Sequence, residues 1–407
     1  MKTSLLIFVT LLARFPGRCA RRQWRCLVLF TVLAVGFEDR ALAADAAHRL
    51  LVKWKDGPQS PAAASGNAKI GSTVKRSYHA IGWQLVELPA GLSMSEGLKA
   101  YQALGTVAVV EPDGVVRREP PLPPSEAAPT VALALTSQPL VPNDPMFSQQ
   151  WYLGKISATN AWTITTGTTN VVVAVLDTGI NYRHEDLAAN MWRNPGEVPG
   201  NGIDDDGNGY VDDVHGIFTS SDGLGSEGDP FDVGVDPGNG RVYHGTLCAS
   251  LIGALGNNAR GGAGVNWSVQ LMAIRIGSSD NTLVLISDTL EAFEYVVLMK
   301  RRGINIRVTS NSYWNDPLSV FSQALKEAID AAGEEGVLNV FFVGNGGLDA
   351  DVVLRYPAKY DAPSIVTVAA SDRFDNLASF SDYGRTSIDL AAPGVDIVGA
   401  WGPATNS

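Results

Sequence analysis

The 407-residue chain is 45% hydrophobic and 18% charged, enough to bury one large core and a second, smaller one. Its net charge of −11 at pH 7 argues against nucleic acid or an anionic membrane as the main partner and suits a soluble protein that binds cations. Cys19 and Cys26 fall in a leader, so a processed chain keeps only Cys248 and forms no internal disulfide; among small and apolar neighbours, Cys248 reads as a packing residue.

Residues 1–44 read as an export signal. Arg14, Arg18, Arg21, Arg22 and Arg25 form a basic region, Cys26 to Phe37 is an apolar run of signal-peptide length, and Ala41-Leu-Ala43 is a small-residue cleavage site. The arginines split the apolar residues, so no single span crosses a bilayer. The processed protein is expected outside the cell, free of the membrane. Residues 45–118 predict a small α+β layer. Arg49–Trp54 and Trp83–Leu88 are strand-like, Ser93–Leu104 is a helix with Ser93 and Glu96 as a capping box, and Val107–Glu111 is a further strand. This β–β–α–β order is consistent with a ferredoxin-like domain. Residues 119–142, beginning Glu119-Pro-Pro-Leu-Pro-Pro, are an extended Pro- and Ala-rich linker open to proteolysis.

From residue 143 to 407 the pattern is α/β. Strands are expected at Val171–Leu176, Val269–Ile276, Ile304–Thr309, Val337–Val343 and Ile365–Ala369, with helices at Ile286–Arg302 and Ser319–Ala332. Strands alternating with helices imply a mostly parallel sheet flanked by helices on both faces. Three motifs sit where such a sheet carries chemistry. Asp177-Thr-Gly179 follows a buried strand, and its carboxylate is either functional or a helix cap. His244-Gly245-Thr246 opens a helical run, placing an imidazole in a cleft or merely packing it. Gly344-Asn345-Gly346 ends another strand; its amide is a hydrogen-bond donor for a ligand or an ordinary turn residue. Between the first two motifs, Asp204, Asp206 and Asn208 alternate as in the first half of a calcium-binding loop, with Gly209 at the tight turn, Tyr210 offering its carbonyl and Asp213 closing the set where an EF-hand would have a glutamate. So many acidic groups repel unless neutralised, so structural calcium is expected here. Asp144 with Asn257 and Asn258 gives a weaker second candidate.

Taken together, Asp-Thr-Gly, His-Gly-Thr and Gly-Asn after apolar strands resemble the subtilisin-like serine proteases. So do Asn143-Asp-Pro-Met-Phe-Ser-Gln-Gln-Trp151, Ala378-Ser-Phe-Ser-Asp-Tyr-Gly384 and Leu390-Ala-Ala-Pro-Gly-Val395, and residues 48–118 resemble the family's inhibitory propeptide. The resemblance implies a secreted endopeptidase precursor acting on extended polypeptides, monomeric, and inhibited in cis by its own propeptide. It makes Asp177 the residue that orients His244, His244 the general base, and Asn345 the oxyanion donor. It makes Ser310, Asn311, Ser312 and Tyr313, with Gly344, the substrate-binding edge. Trp314 stands near a position where the family usually has glycine and narrows the pocket beside it; Leu247 replaces a second family histidine. The nucleophile motif Gly-Thr-Ser-Met-Ala does not occur in these residues, and no Gly-Thr-Ser is present. The expectation is a truncated gene product or partial gene model, inactive as it stands. The alternative is a peptide-binding pseudoprotease.

Overall fold

A four-stranded antiparallel sheet forms first along the chain. The computed structural model describes residues 48–118, 139–220, 229–234, 243–279, 281, 283–316 and 320–400; the export signal and most of the linker lie outside them. Strands β1 (Arg49–Trp54), β2 (Thr73–Tyr78), β3 (Trp83–Glu87) and β4 (Val107–Pro112) lie in the order β2-β3-β1-β4, with helices α1 (Pro61–Ile70) and α2 (Met94–Gln102) between them. The order β-α-β-β-α-β adds a helix and a strand to the sequence expectation and completes the ferredoxin-like layout. Helix α1 carries no apolar stripe, which hides it from periodicity. Its local signals are good: Ser60 accepts from the Ala63 amide at 3.1 Å, Pro61 opens the first turn, and Gly71 ends it at φ 81°. Gly66 lets the helix close on the Trp54 ring, where a Cβ would clash.

The second body is a seven-stranded sheet in the order β14-β13-β12-β10-β6-β8-β7, with every adjacent pair parallel. Its strands are β6 (Gly167–Asp177), β7 (Gly216–Thr219), β8 (Ser268–Ile276), β10 (Ile306–Asn311), β12 (Leu338–Phe342), β13 (Ile365–Ser371) and β14 (Leu390–Pro393). Side chains alternate across β6. Val172, Ala174 and Leu176 join Met272 and Ile274 in one core, beneath α6 (Ile286–Arg301) and α7 (Gln323–Glu334). Val173 and Val175 join Leu271 and Ala273 in a second core, beneath α5 (His244–Gly253). Both faces are therefore covered, as the apolar run of β6 requires. Helix α7 begins at Gln323 rather than near Ser319, because the Ser322 hydroxyl caps it through the Leu325 amide at 3.1 Å. Short helices α3 (Trp151–Lys155) and α4 (Ala158–Ala161) precede β6. Among the described residues no helix is long and apolar enough to cross a membrane.

The small sheet lies on α6 and α7. Leu51, Tyr78, Trp83 and Leu85 share one core with Leu290, Phe293, Leu325 and Ile329. Polar groups fix the register. The Trp83 indole donates to Glu327 at 2.9 Å, and the amides of Ala80 and Ile81 donate to Glu294 at 2.8 and 3.0 Å. Glu111, within β4, and Asp113, just past it, cap the two helices from outside. Glu111 accepts from the Ser322 hydroxyl at 2.5 Å and from the Gln323 and Ala324 amides at 2.9 and 3.3 Å; Asp113 accepts from the Ser287 amide and hydroxyl, both at 2.8 Å. Strand β5 (Val115–Arg118) then leaves the small domain. It becomes the middle strand of an antiparallel ribbon between β11 (Tyr313–Asp316) and β9 (Val284–Leu285).

Candidate active site

Asp177 ends β6 and is buried. Thr178 donates its amide back to the carboxylate at 2.7 Å. His244 is the first residue of α5, and its Nδ1 lies 2.8 and 2.9 Å from the two Asp177 oxygens. A carboxylate only accepts, so Nδ1 carries the proton and Nε2 holds the lone pair of the neutral ring. The two motifs interlock through small residues. The Gly245 amide donates to the Thr178 hydroxyl at 2.8 Å, and a Cβ on Gly245 would lie 3.0 Å from Asp177 Cβ and closer still to the Gly179 carbonyl. Gly179 itself sits at φ 99°. Behind them, Asp232 accepts from the Thr246 amide and hydroxyl at 3.1 and 2.7 Å. Burial pushes the Asp232 carboxyl up to about 6, with the Asp177 charge adding to it. Burial works against a charge on His244, yet the Asp177 carboxylate overcomes it, and the imidazole titrates well above its ordinary range.

Asn345 follows β12, two strands from β6 across β10, so the Asp177 and Asn345 motifs both stand at the carboxyl edge of the sheet. Gly344 holds φ 129°, and the half-buried Asn345 side chain makes no hydrogen bond with the described residues. Cys248 packs, as expected, against an apolar cluster and also against the imidazole. One turn beyond His244, its Sγ lies 3.8 and 3.9 Å from the two ring nitrogens, against the imidazole.

The residues expected at the substrate edge divide between two strands. Ser310 and Asn311 belong to β10 and pair in parallel with both β6 and β12, so their backbone is not available to a peptide. Antiparallel pairing with an extended segment falls instead on Tyr313–Asp316, where β5 is bound, with Ser312 at the turn between. Tyr313 is buried and donates its hydroxyl to Asn311 at 3.0 Å. Trp314 packs against Phe342 with ring centroids 5.7 Å apart.

The acidic loop departs from an EF-hand. Asp204 turns on its own loop, accepting from the amides of Asn208 and Gly209 at 3.0 and 2.8 Å, and so stands outside the cluster. Tyr210 buries its ring against Tyr295 with its amide given to Asn208. Asp206 and Asp213 instead meet Glu197, with ligand atoms all within 4.8 Å of one another, and Asn208 donates to Asp213 at 2.9 Å. Glu197 lies before the loop in Asn194-Pro-Gly-Glu197, outside the alternating pattern that drew attention. Burial raises both Glu197 and Asp213, the latter to about 6. Glu197 Oε2 and Asp206 Oδ1 are buried without a hydrogen-bond donor, although Arg302 stands 3.1 Å from the latter. That is the donor set of a hard cation. At the weaker candidate, Asp144 accepts from the amides of Asn257 and Asn258 at 2.6 and 3.1 Å.

Comparison with known proteins agrees with this geometry. The subtilase family model matches residues 168–406, more than half of the chain, and the fervidolysin N-terminal prodomain model matches residues 46–113. A thermophilic serine proteinase of Bacillus sp. (strain AK1) is 27% identical over 358 residues, 84% of this chain and 76% of that protein. Thermitase of Thermoactinomyces vulgaris is 32% identical over 267 residues, 65% of this chain and 77% of thermitase. The crystal structure of fervidolysin from Fervidobacterium pennivorans superposes with a TM-score of 0.65 at 21% identity, over 88% of this chain and 49% of that one, and so shows a shared fold. This chain spans about half the length of fervidolysin. A core built on Asp177 and His244, a prodomain laid over two helices and a match across both parts lead to one assignment: the chain belongs to the subtilase family of subtilisin-like serine proteases and carries a fervidolysin-type prodomain.

Proposed function

We propose that this chain belongs to an exported serine endopeptidase zymogen that cuts extended polypeptides, and that the 407 residues themselves hydrolyse no peptide bond. The observation that carries the reading is the Asp177–His244 pair, held at 2.8 Å by two interlocking motifs. With Nδ1 tied to Asp177, Nε2 takes the proton of an attacking serine and returns it to the leaving amine. Asn345, with no hydrogen bond to the described residues, donates to the developing oxyanion. The substrate runs as an antiparallel strand between β9 and β11, the place β5 holds, so the prodomain inhibits in cis. The reading leaves the attacking serine to a Gly-Thr-Ser motif that these 407 residues do not contain.

The test is to sequence the coding template past codon 407, express the frame it encodes, and probe it with a fluorophosphonate. Labelling that requires a downstream Gly-Thr-Ser and disappears in His244→Ala supports the endopeptidase. A stop at codon 407, no labelling and retained binding of peptides favour the pseudoprotease.

Calcium is part of the proposal. Glu197, Asp206 and Asp213, with Asn208, would hold the ion, which would neutralise the cluster and brace the segment between Asp177 and His244. Saturating calcium at 100 times its dissociation constant would add about 2.7 kcal/mol to folding. EGTA is therefore expected to lower the thermal midpoint of the full chain, and Glu197→Gln is expected to abolish that response. An EGTA-insensitive midpoint rules the calcium site out.

A further inference from the structure

A peptide bound as β5 is bound has a defined direction. Val115 pairs with Asp316 and Arg118 with Tyr313, so the chain continues past Ser312 towards the end of β10. There Asn311 neighbours Leu176 on one side and Phe341 on the other, with Asp177 and the Gly344–Asn345 loop just beyond. The side chain preceding the bond that reaches this edge meets the slot between Trp314 and the Gly344–Gly346 loop.

An arginine lies against both Trp314 and that loop. Arg355 is 6% exposed, and its guanidinium carbon lies 5.6 Å from the Trp314 ring. A Cβ on Gly344 would meet Arg355 Nε at 2.7 Å, and one on Gly346 would clash with Nη2, so the side chain lies directly under the loop. Asp382, fully buried, pairs with Nε and accepts from the Gly346 and Leu348 amides, both at 2.9 Å. The Asp382 charge is thus shared with two loop amides, and it anchors the arginine by one edge. Among the described residues nothing hydrogen-bonds to the two terminal nitrogens of Arg355.

We infer that this slot selects an acidic side chain, glutamate or aspartate, at the residue whose carbonyl is cut, and that Arg355 is the specificity-determining group; the inference rests on the endopeptidase reading above. A carboxylate takes both free donors of the planar guanidinium fork. An apolar side chain would bury those donors unmet, and a basic one would meet a like charge. The sequence after Arg118 continues with Glu119, outside the described residues, a carboxylate of the matching sign.

The test uses the full chain with Val116→Asp, which puts a charge into the apolar cluster holding β5 and frees the groove. Fluorescein-labelled Val-Arg-Arg-X amides, with X glutamate, glutamine or phenylalanine, are titrated by anisotropy. The glutamate peptide is expected to bind at least roughly tenfold more tightly than either other peptide, as one charge-assisted contact in a desolvated site allows. Arg355→Gln in the same chain erases the difference, and Arg355→Lys keeps its sign. If Arg355→Gln does not fold, the three peptides on the unaltered slot decide alone. Equal binding of glutamate and glutamine, or tightest binding of phenylalanine, overturns the inference. Failure of all three peptides to bind overturns the endopeptidase groove itself, and this inference with it, a pattern distinct from a lost preference.

Discussion

Asp177 meets His244 where burial alone would strip the imidazole of its charge, and the carboxylate wins. That balance has a direct readout. In Asp177→Asn the opposing charge is gone while the burial remains, so the His244 titration, followed by NMR of the ring protons, is expected to fall from well above 6.5 to below it. An unchanged midpoint would mean that Asp177 does not set it. The sign for folding follows. A histidine raised in the folded state contributes stability that is fully present below its unfolded value and lost as pH rises through the folded one. Gly245 is the geometric counterpart. With backbone and Asp177 Cβ already at the limit of approach, Gly245→Ala is expected to cost about 1–3 kcal/mol, the usual range for overpacking, measured by urea unfolding, and to lengthen the Asp177–His244 contact.

At the scale of elements, the prodomain does for α6 and α7 what a local cap does for an ordinary helix. Glu111 and Asp113 place carboxylates at the amino ends of both helices, where exposed amides and the helix dipole favour negative charge. Asp113→Asn and Glu111→Gln are each expected to cost about 1 kcal/mol, the typical worth of a cap, and to speed amide exchange at Ser287 and Gln323 respectively. If exchange at those amides is unchanged, the capping account fails. These contacts also mark the limit of what the sequence reveals. Asp113 reads locally as part of the turn Pro112-Asp-Gly114; nothing in that stretch points to Ser287. The parallel sheet was legible because β6 and β8 are long apolar runs, and the Asp177–His244 pair because Asp-Thr-Gly and His-Gly-Thr are local patterns. Helix α1 was not, because Pro61–Ile70 has no apolar stripe, and β2 was not, because Thr73–Tyr78 is charged and largely exposed. Glu197 and Arg355 escaped for the same reason as each other. Each joins partners scattered along the chain, and a lone Glu or Arg carries no motif.

Across the whole molecule, the interface between prodomain and peptidase includes carboxylates that burial makes reluctant to ionise. Burial pushes Asp113 up to about 6 and Glu291 up to about 7. The Arg76–Glu291 pair, at 2.7 Å, is unequal. Burial opposes the Arg76 charge but Glu291 overcomes it, whereas at Glu291 burial outweighs Arg76. The arginine stays protonated in either case. In the folded chain these acids keep protons that the unfolded chain has lost, so stability gains as pH falls from about 7 towards 5 and is given up as pH rises. The urea midpoint of the full chain is expected to rise over that interval, and the rise is expected to shrink in Asp113→Asn with Glu291→Gln. A midpoint rise as large in the double variant as in the parent would remove these groups from the account. The ribbon β11-β5-β9 has a consequence of a different kind. Taking out its middle strand leaves a gap of two strand spacings, roughly 9.6 Å. A helix with its side chains is about 10–12 Å across, so the gap works as a gauge that passes only unwound chain. Which proteins such an enzyme attacks, and where, would then depend on how readily their own segments come loose, a property of the victim's local stability as much as of the enzyme's pockets.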